Sequence, residues 1–238
     1  MKRLERVGSS FLQAVRQIQA LYRRGHRVDK DAILTLEKAM AVVQHHDGVS
    51  GTSKQHVAYD YAKKIQAGID KVIASLEKES IFGQRGNIEF CQLRNESICE
   101  TSQTSSSTGS TFYLYLYNAL GQPRSEVISI PVSQNATYVV ERIFQKGTTG
   151  NDDWVQVNST VVPNFNYAKI KDAAPFNLMI DVQDIPSSPM VAILKISSES
   201  QALHTPVKSI LQESRNLRSK DSKPFVLHQG NTQIHFEG

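Results

Sequence analysis

The spacing of apolar residues changes once along this chain, and that change sets its fold class. Over residues 4–24, Leu4, Val7, Phe11, Val15, Ile18 and Tyr22 recur at steps of three and four, the stripe of an amphipathic helix, and Gly25 follows as a stop. The stripe resumes after Asp29, a suitable N-cap, through Ile33, Leu36, Met40 and Val43. A third stripe, Val57, Tyr61, Ile65, Ile69, Val72 and Leu76, follows Thr52, which with Gln55 spells a Thr-x-x-Gln capping box. From residue 112 the period falls to two. Strands are expected at 112–117, 127–132, 138–144, 154–162, 176–182 and 190–196, separated by polar or Pro/Gly turns. The expected fold is α+β in two modules, an antiparallel three-helix bundle followed by an antiparallel β-sandwich. The bundle takes residues 1–85 and the sandwich 112–200, joined by a connector over 86–111 whose Ser/Thr-rich part reads as a loop. Residues 201–224 read as a linker or surface loop, and 225–238 as the truncated start of a further β-domain.

Charge and hydropathy argue against a nucleic-acid partner and a membrane span. The net charge of +4 is modest for 238 residues, and its basic excess lies in residues 1–30. Arginines interleaved along a helix serve as its solvated face or as contacts with a neighbouring element, so no nucleic-acid partner is expected. No run of 18 apolar residues exists, so no membrane-spanning helix is expected. Charges at Glu5 and Arg6 interrupt any apolar core of a signal peptide, and none is read in this chain.

The cysteines and sequons point elsewhere. Cys91 and Cys99 are the only cysteines, too few for a four-ligand structural zinc site, and are either buried thiols or one short bridge. Asn95, Asn135 and Asn158 each begin an N-glycosylation acceptor. Together these favour a secretory-pathway parent.

One segment carries chemistry. Residues 44–52 read Gln-His-His-Asp-Gly-Val-Ser-Gly-Thr, a His pair and a carboxylate in a Gly-containing turn between two helices. A histidine at a helix end most often does no more than satisfy a hydrogen bond. A rigid junction is also where a metal ligand is best positioned. Neighbours on one short turn cannot all reach the same ion, and a catalytic zinc needs three protein ligands, so further ligands must come from elsewhere.

Residues 36–43, the 44–52 segment and residues 54–62 together closely resemble the signature of the glycoside hydrolase family 38 α-mannosidases of lysosomal type. Phe90-Cys91-Gln92-Leu93 through Asn95-Glu96-Ser97-Ile98-Cys99 resembles that family's segment with a short disulfide, and 112–133 resembles the first β-domain. The resemblance implies a Zn2+ cofactor, with His46 as one metal ligand, Asp47 binding mannose hydroxyls and His45 behind the metal ligand. It implies a zinc-dependent retaining enzyme that removes terminal α-mannosyl residues from mannose-containing oligosaccharides of N-glycan type, in a lysosomal or secreted parent. It further implies that the upstream catalytic α/β domain, which holds the nucleophile and general acid, is missing from this chain. No catalytic residue is therefore expected here, and the chain alone should be inactive. The alternative is a non-catalytic carbohydrate-binding or interaction protein, in which Trp154 and tyrosines of the β-module stack on sugars rather than fill its core.

Overall fold

The three apolar stripes form helices α1 (Lys2–Leu21), α2 (Lys30–Val43) and α4 (Gln55–Lys78), with a five-residue helix α3 (His46–Ser50) between the last two. The computed structural model describes residues 1–21, 28–79, 87–143, 154–187, 191–198, 225–229 and 232–236. The expected stop at Gly25 and the linker over 201–224 lie outside the described residues. The chain divides into two units, Met1–Gln201 and Ala202–Gly238.

Asp29 caps α2 as its sequence suggests, accepting a hydrogen bond from the Asp31 N–H at 2.9 Å. The three long helices share one apolar cluster in which Leu36, Val43, Ile65, Ile69 and Val72 are fully buried. Helix α1 departs in detail from the expected stripe. Its buried line runs through Glu5, Gly8, Leu12, Val15 and Ile18, while Phe11 is half-buried and stacks on Phe90 at 4.6 Å between ring centroids. Two of its arginines do serve neighbours: Arg3 pairs with Glu96 at 2.6 Å, and Arg16 with Glu37 at 2.8 Å.

The connector holds the largest departure from expectation. Of residues 102–111, read as loop, 102–108 belong to helix α5 (Glu100–Thr108). Hydroxyls weaken a helix by competing for backbone groups, and here they do bond back to carbonyls within it, so its support comes from outside. Ser106 Oγ donates to Gln103 O at 3.0 Å, and Ser107 and Thr108 donate to Thr104 O at 2.8 and 3.0 Å. Two more contacts fix the helix on the following strands. Buried Ser102 donates to Pro131 O at 2.6 Å, and Ser106 Oγ accepts from the Ser133 N–H at 2.8 Å. Gly109 at φ 71° ends the helix. Ser102→Ala should destabilise by about 1 kcal/mol in chemical denaturation, because the Pro131 carbonyl loses a buried donor. No change in midpoint would show that α5 is held by other contacts.

Strands β1 (Phe112–Tyr117), β2 (Arg124–Val132), β3 (Tyr138–Ile143), β6 (Phe176–Ile185) and β7 (Val191–Ser198) match the expected runs to within a few residues. The expected single strand over 154–162 is instead two, β4 (Trp154–Gln156) and β5 (Ser159–Pro163), in different sheets. One antiparallel sheet runs β1-β7-β3-β4 and the other β2-β6-β5, and their alternating apolar residues meet in a second cluster around Leu178, Ile180, Leu194 and Ile196. The fold is α+β, with antiparallel sheets. In the second unit, β8 (Phe225–Gln229) and β9 (Thr232–Phe236) pair with each other as an antiparallel hairpin.

Candidate functional site

The 44–52 segment is built around Asp47. Helix α2 stops at Val43, His45 turns extended at φ −65° and ψ 160°, and α3 begins at His46. Gly51 at φ 80° closes α3 in the left-handed region, where an L side chain would be strained. The chain then folds back on Asp47, whose carbonyl accepts from the Thr52 and Ser53 N–H groups at 3.1 Å each and from Ser53 Oγ at 2.9 Å. Asp47 Oδ1 accepts from Thr52 Oγ1 at 2.8 Å. Thr52 thus braces the carboxylate, whereas the N-cap of α4 is Lys54, with no side-chain cap bond. The expected capping box does not form because α4 begins at Gln55, which puts Thr52 two residues before the cap position.

The two histidines differ sharply. The His46 side chain is 93% exposed, and its Nε2 lies 4.0 Å from Asp47 Oδ2, beyond hydrogen-bond distance. His45 is half-buried, with Nδ1 3.1 Å from Val42 O and both ring nitrogens within 3.5 Å of the Tyr61 hydroxyl. Its ring meets Tyr61 edge-on at 5.5 Å between centroids. One imidazole is therefore presented to solvent, its neighbour is tied into the fold, and Asp47 stands beside both, half-exposed. Such an arrangement can offer a nitrogen lone pair to a metal and a carboxylate oxygen to a hydroxyl donor.

Tyr61 reads in the sequence only as part of an apolar stripe. Its sole distinguishing signal is a hydroxyl at a half-buried position nearly two turns into α4. Contacts of 3.4–3.5 Å are long for an O–H···N bond, so edge packing dominates the pair. Tyr61→Phe should leave unfolding free energy within about 0.5 kcal/mol of the parent. A larger loss in urea denaturation would show that the hydroxyl itself holds His45. His56 is exposed on α4.

Among the described residues, one group of three potential ligands, Glu89, Cys91 and Cys99, draws its atoms within 4.8 Å of one another. Its chemistry is already committed. Cys91 and Cys99 form a disulfide, as the resemblance implies, so neither offers a thiolate. The Glu89 carboxylate caps α5, accepting from the Glu100 and Thr101 N–H groups at 3.2 and 2.6 Å. This cluster is a structural clasp, and a metal reading of the chain rests on His46 instead.

Residues 1–80 match the family model described as alpha mannosidase middle domain. Over those residues the chain is similar to an alpha-mannosidase middle domain. The lysosomal alpha-mannosidases of Homo sapiens and Felis catus are 39% and 38% identical to it over 144 residues. Each of those alignments covers 58% of this chain and 14% of the relative's own length. An alpha-mannosidase of Arabidopsis thaliana is 34% identical over 155 residues, 60% of this chain and 14% of that protein. The chain thus spans about one-seventh of the length of the curated relatives it matches. The matched residues hold α1, α2, α3 and α4, and with them the whole His45-His46-Asp47 segment. Among the described residues, no helix is long and apolar enough to cross a membrane.

Proposed function

We propose that this chain is the central portion of a zinc-dependent retaining α-mannosidase acting on terminal α-mannosyl residues of N-glycan-type oligosaccharides. In this reading α1, α2 and α4 serve as an antiparallel three-helix bundle over 1–85, the two larger sheets as a β-sandwich over 112–200, and an upstream α/β domain completes the site. The observation that carries the reading is the exposure of His46, 93% open beside a braced carboxylate at a helix junction. A histidine kept for packing would be covered or hydrogen-bonded, as His45 is.

His46 is the proposed metal ligand, Asp47 binds mannose hydroxyls, and His45 stands behind His46. His46 supplies one of the three protein ligands that a catalytic zinc requires, so the residues fit as contributors and not as a complete site. When bound, such a metal would engage sugar hydroxyls and favour an oxocarbenium-like transition state. Retaining hydrolysis needs two carboxyl groups flanking the scissile bond, and Asp47 alone cannot act as both. The chain by itself should neither hold stoichiometric zinc nor cleave an aryl α-mannoside. Hydrolysis by the purified chain would overturn the proposal. The names of its relatives and the sequons at Asn95, Asn135 and Asn158 support a parent that resides in the lysosome or outside the cell.

The carbohydrate-binding alternative rests on Trp154 and on tyrosines of the β-module, of which Tyr113 and Tyr167 are half-exposed. The Trp154 ring is half-buried, with the Lys195 ammonium 5.6 Å from its centroid, and Lys195 is in turn bonded to Glu141 at 2.9 Å. The Lys195 ammonium thus occupies one face of that ring.

A further inference from the structure

A groove of about 450 Å³ separates the disulfide segment from the β2-β6-β5 sheet, lined by Asn95, Val127, Ser129, Phe165 and Asn177 among others. This volume falls within the range of small-ligand sites, roughly 300–1,000 Å³. Three features of it call for a partner. Phe165 is 75% exposed, although the loop that carries it is pinned: Asn164 donates to Ala174 O at 2.8 Å and accepts from the Asn166 N–H at 3.0 Å. The Asn177 Oδ1 is buried with no hydrogen-bond partner among the described residues, an acceptor left without a donor. Asn95 is itself an exposed wall of the groove and the acceptor of a glycosylation sequon. Its backbone is fixed by the Arg94–Glu96 turn, by the Cys91–Cys99 disulfide around it and by Arg3 on Glu96. Neither Asn135 nor Asn158 lines the groove.

We propose that the first N-acetylglucosamine of a glycan attached to Asn95 occupies this groove, its apolar face stacked on Phe165. Phenylalanine has no polar edge, so the C–H face of a pyranose suits it, and the acetamido N–H of the sugar is a donor for Asn177 once the amide turns outward. Attachment forms a bond from Asn95 Nδ2 to the anomeric carbon and breaks the glycosyl–phosphate bond of a lipid-diphosphate oligosaccharide. One amide proton leaves with the diphosphate. The inference rests on the secretory routing proposed above and is independent of zinc and of His46.

The test is to express the full chain behind a fused secretion leader in eukaryotic cells and trim its glycans enzymatically to single N-acetylglucosamines. Occupancy is read by glycopeptide mass spectrometry. Asn95 should be modified, and the sugar should raise the thermal midpoint by about 2–4 °C relative to Asn95→Gln. That increment should vanish in Phe165→Ala, and the acetyl methyl proton signal, shifted upfield by the Phe165 ring, should return to its free position. Phe165 is exposed, so its replacement leaves both cores intact. An unmodified Asn95 beside an occupied Asn135 or Asn158, an equal increment without Phe165, or an unshifted methyl signal would each overturn the groove. Because the leader imposes export, none of these results bears on the natural compartment or on mannosidase activity.

Discussion

Replacing His46 by alanine, in a protein where this chain is joined to the α/β domain that completes the site, should lower activity on α-mannosides by about 100-fold or more and reduce bound zinc with it. Loss of a partner that merely orients a ligand costs about 10–100-fold, and loss of the ligand should reach at least the upper end. The mutation should leave folding untouched, since the ring is 93% exposed and its nitrogens make no hydrogen bond among the described residues. Asp47→Asn separates the roles: it should raise KM and slow turnover with zinc retained, because the carboxylate is assigned to the sugar. Full zinc occupancy in His46→Ala, measured by elemental analysis, would remove the metal from this chain's account.

Gly68→Ala should destabilise the protein by about 2 kcal/mol, against the sign that helix propensity predicts. In an exposed helix the change would gain about 1 kcal/mol. Here a Cβ at position 68 would lie 2.7 Å from Leu36 Cα, a backbone atom that can yield only if α2 and α4 move apart. Overpacking of that kind costs up to about 3 kcal/mol, which outweighs the propensity gain. The thermal midpoint should fall by about 4–8 °C for a chain of this size. Gly8 is the control: its Cβ would meet Met40 Sδ at 2.8 Å, the flexible end of a side chain, so Gly8→Ala should cost less. A rise in midpoint for Gly68→Ala would show that α2 and α4 are not in the close contact described.

The apolar spacing located α1, α2 and α4 and five of the longer strands, because periods of 3.6 and 2 follow from backbone geometry alone. Asp29 was readable as a cap for the same reason: it acts two residues away. The site segment was readable because its residues adjoin in sequence and match a family signature. What sequence could not reach were partners chosen at a distance. Helix α5 exists because Ser102 and Ser106 bond to residues 29 and 27 positions on, which no local propensity contains.

The same holds within the site. Sequence named His45, His46 and Asp47, but only the fold set one imidazole against Tyr61 and left the other open, and only the fold spent Thr52 on Asp47 instead of on a helix cap. Likewise, 154–162 has the alternation of one strand, yet β3 and β6 each claim half of it. The sequence by itself determined the kind and rough place of each long element and the residues of the candidate site, since these depend on local spacing. Tertiary structure alone decided which polar groups are satisfied and which face solvent, because burial and hydrogen-bond partners are properties of contacts between distant parts of the chain.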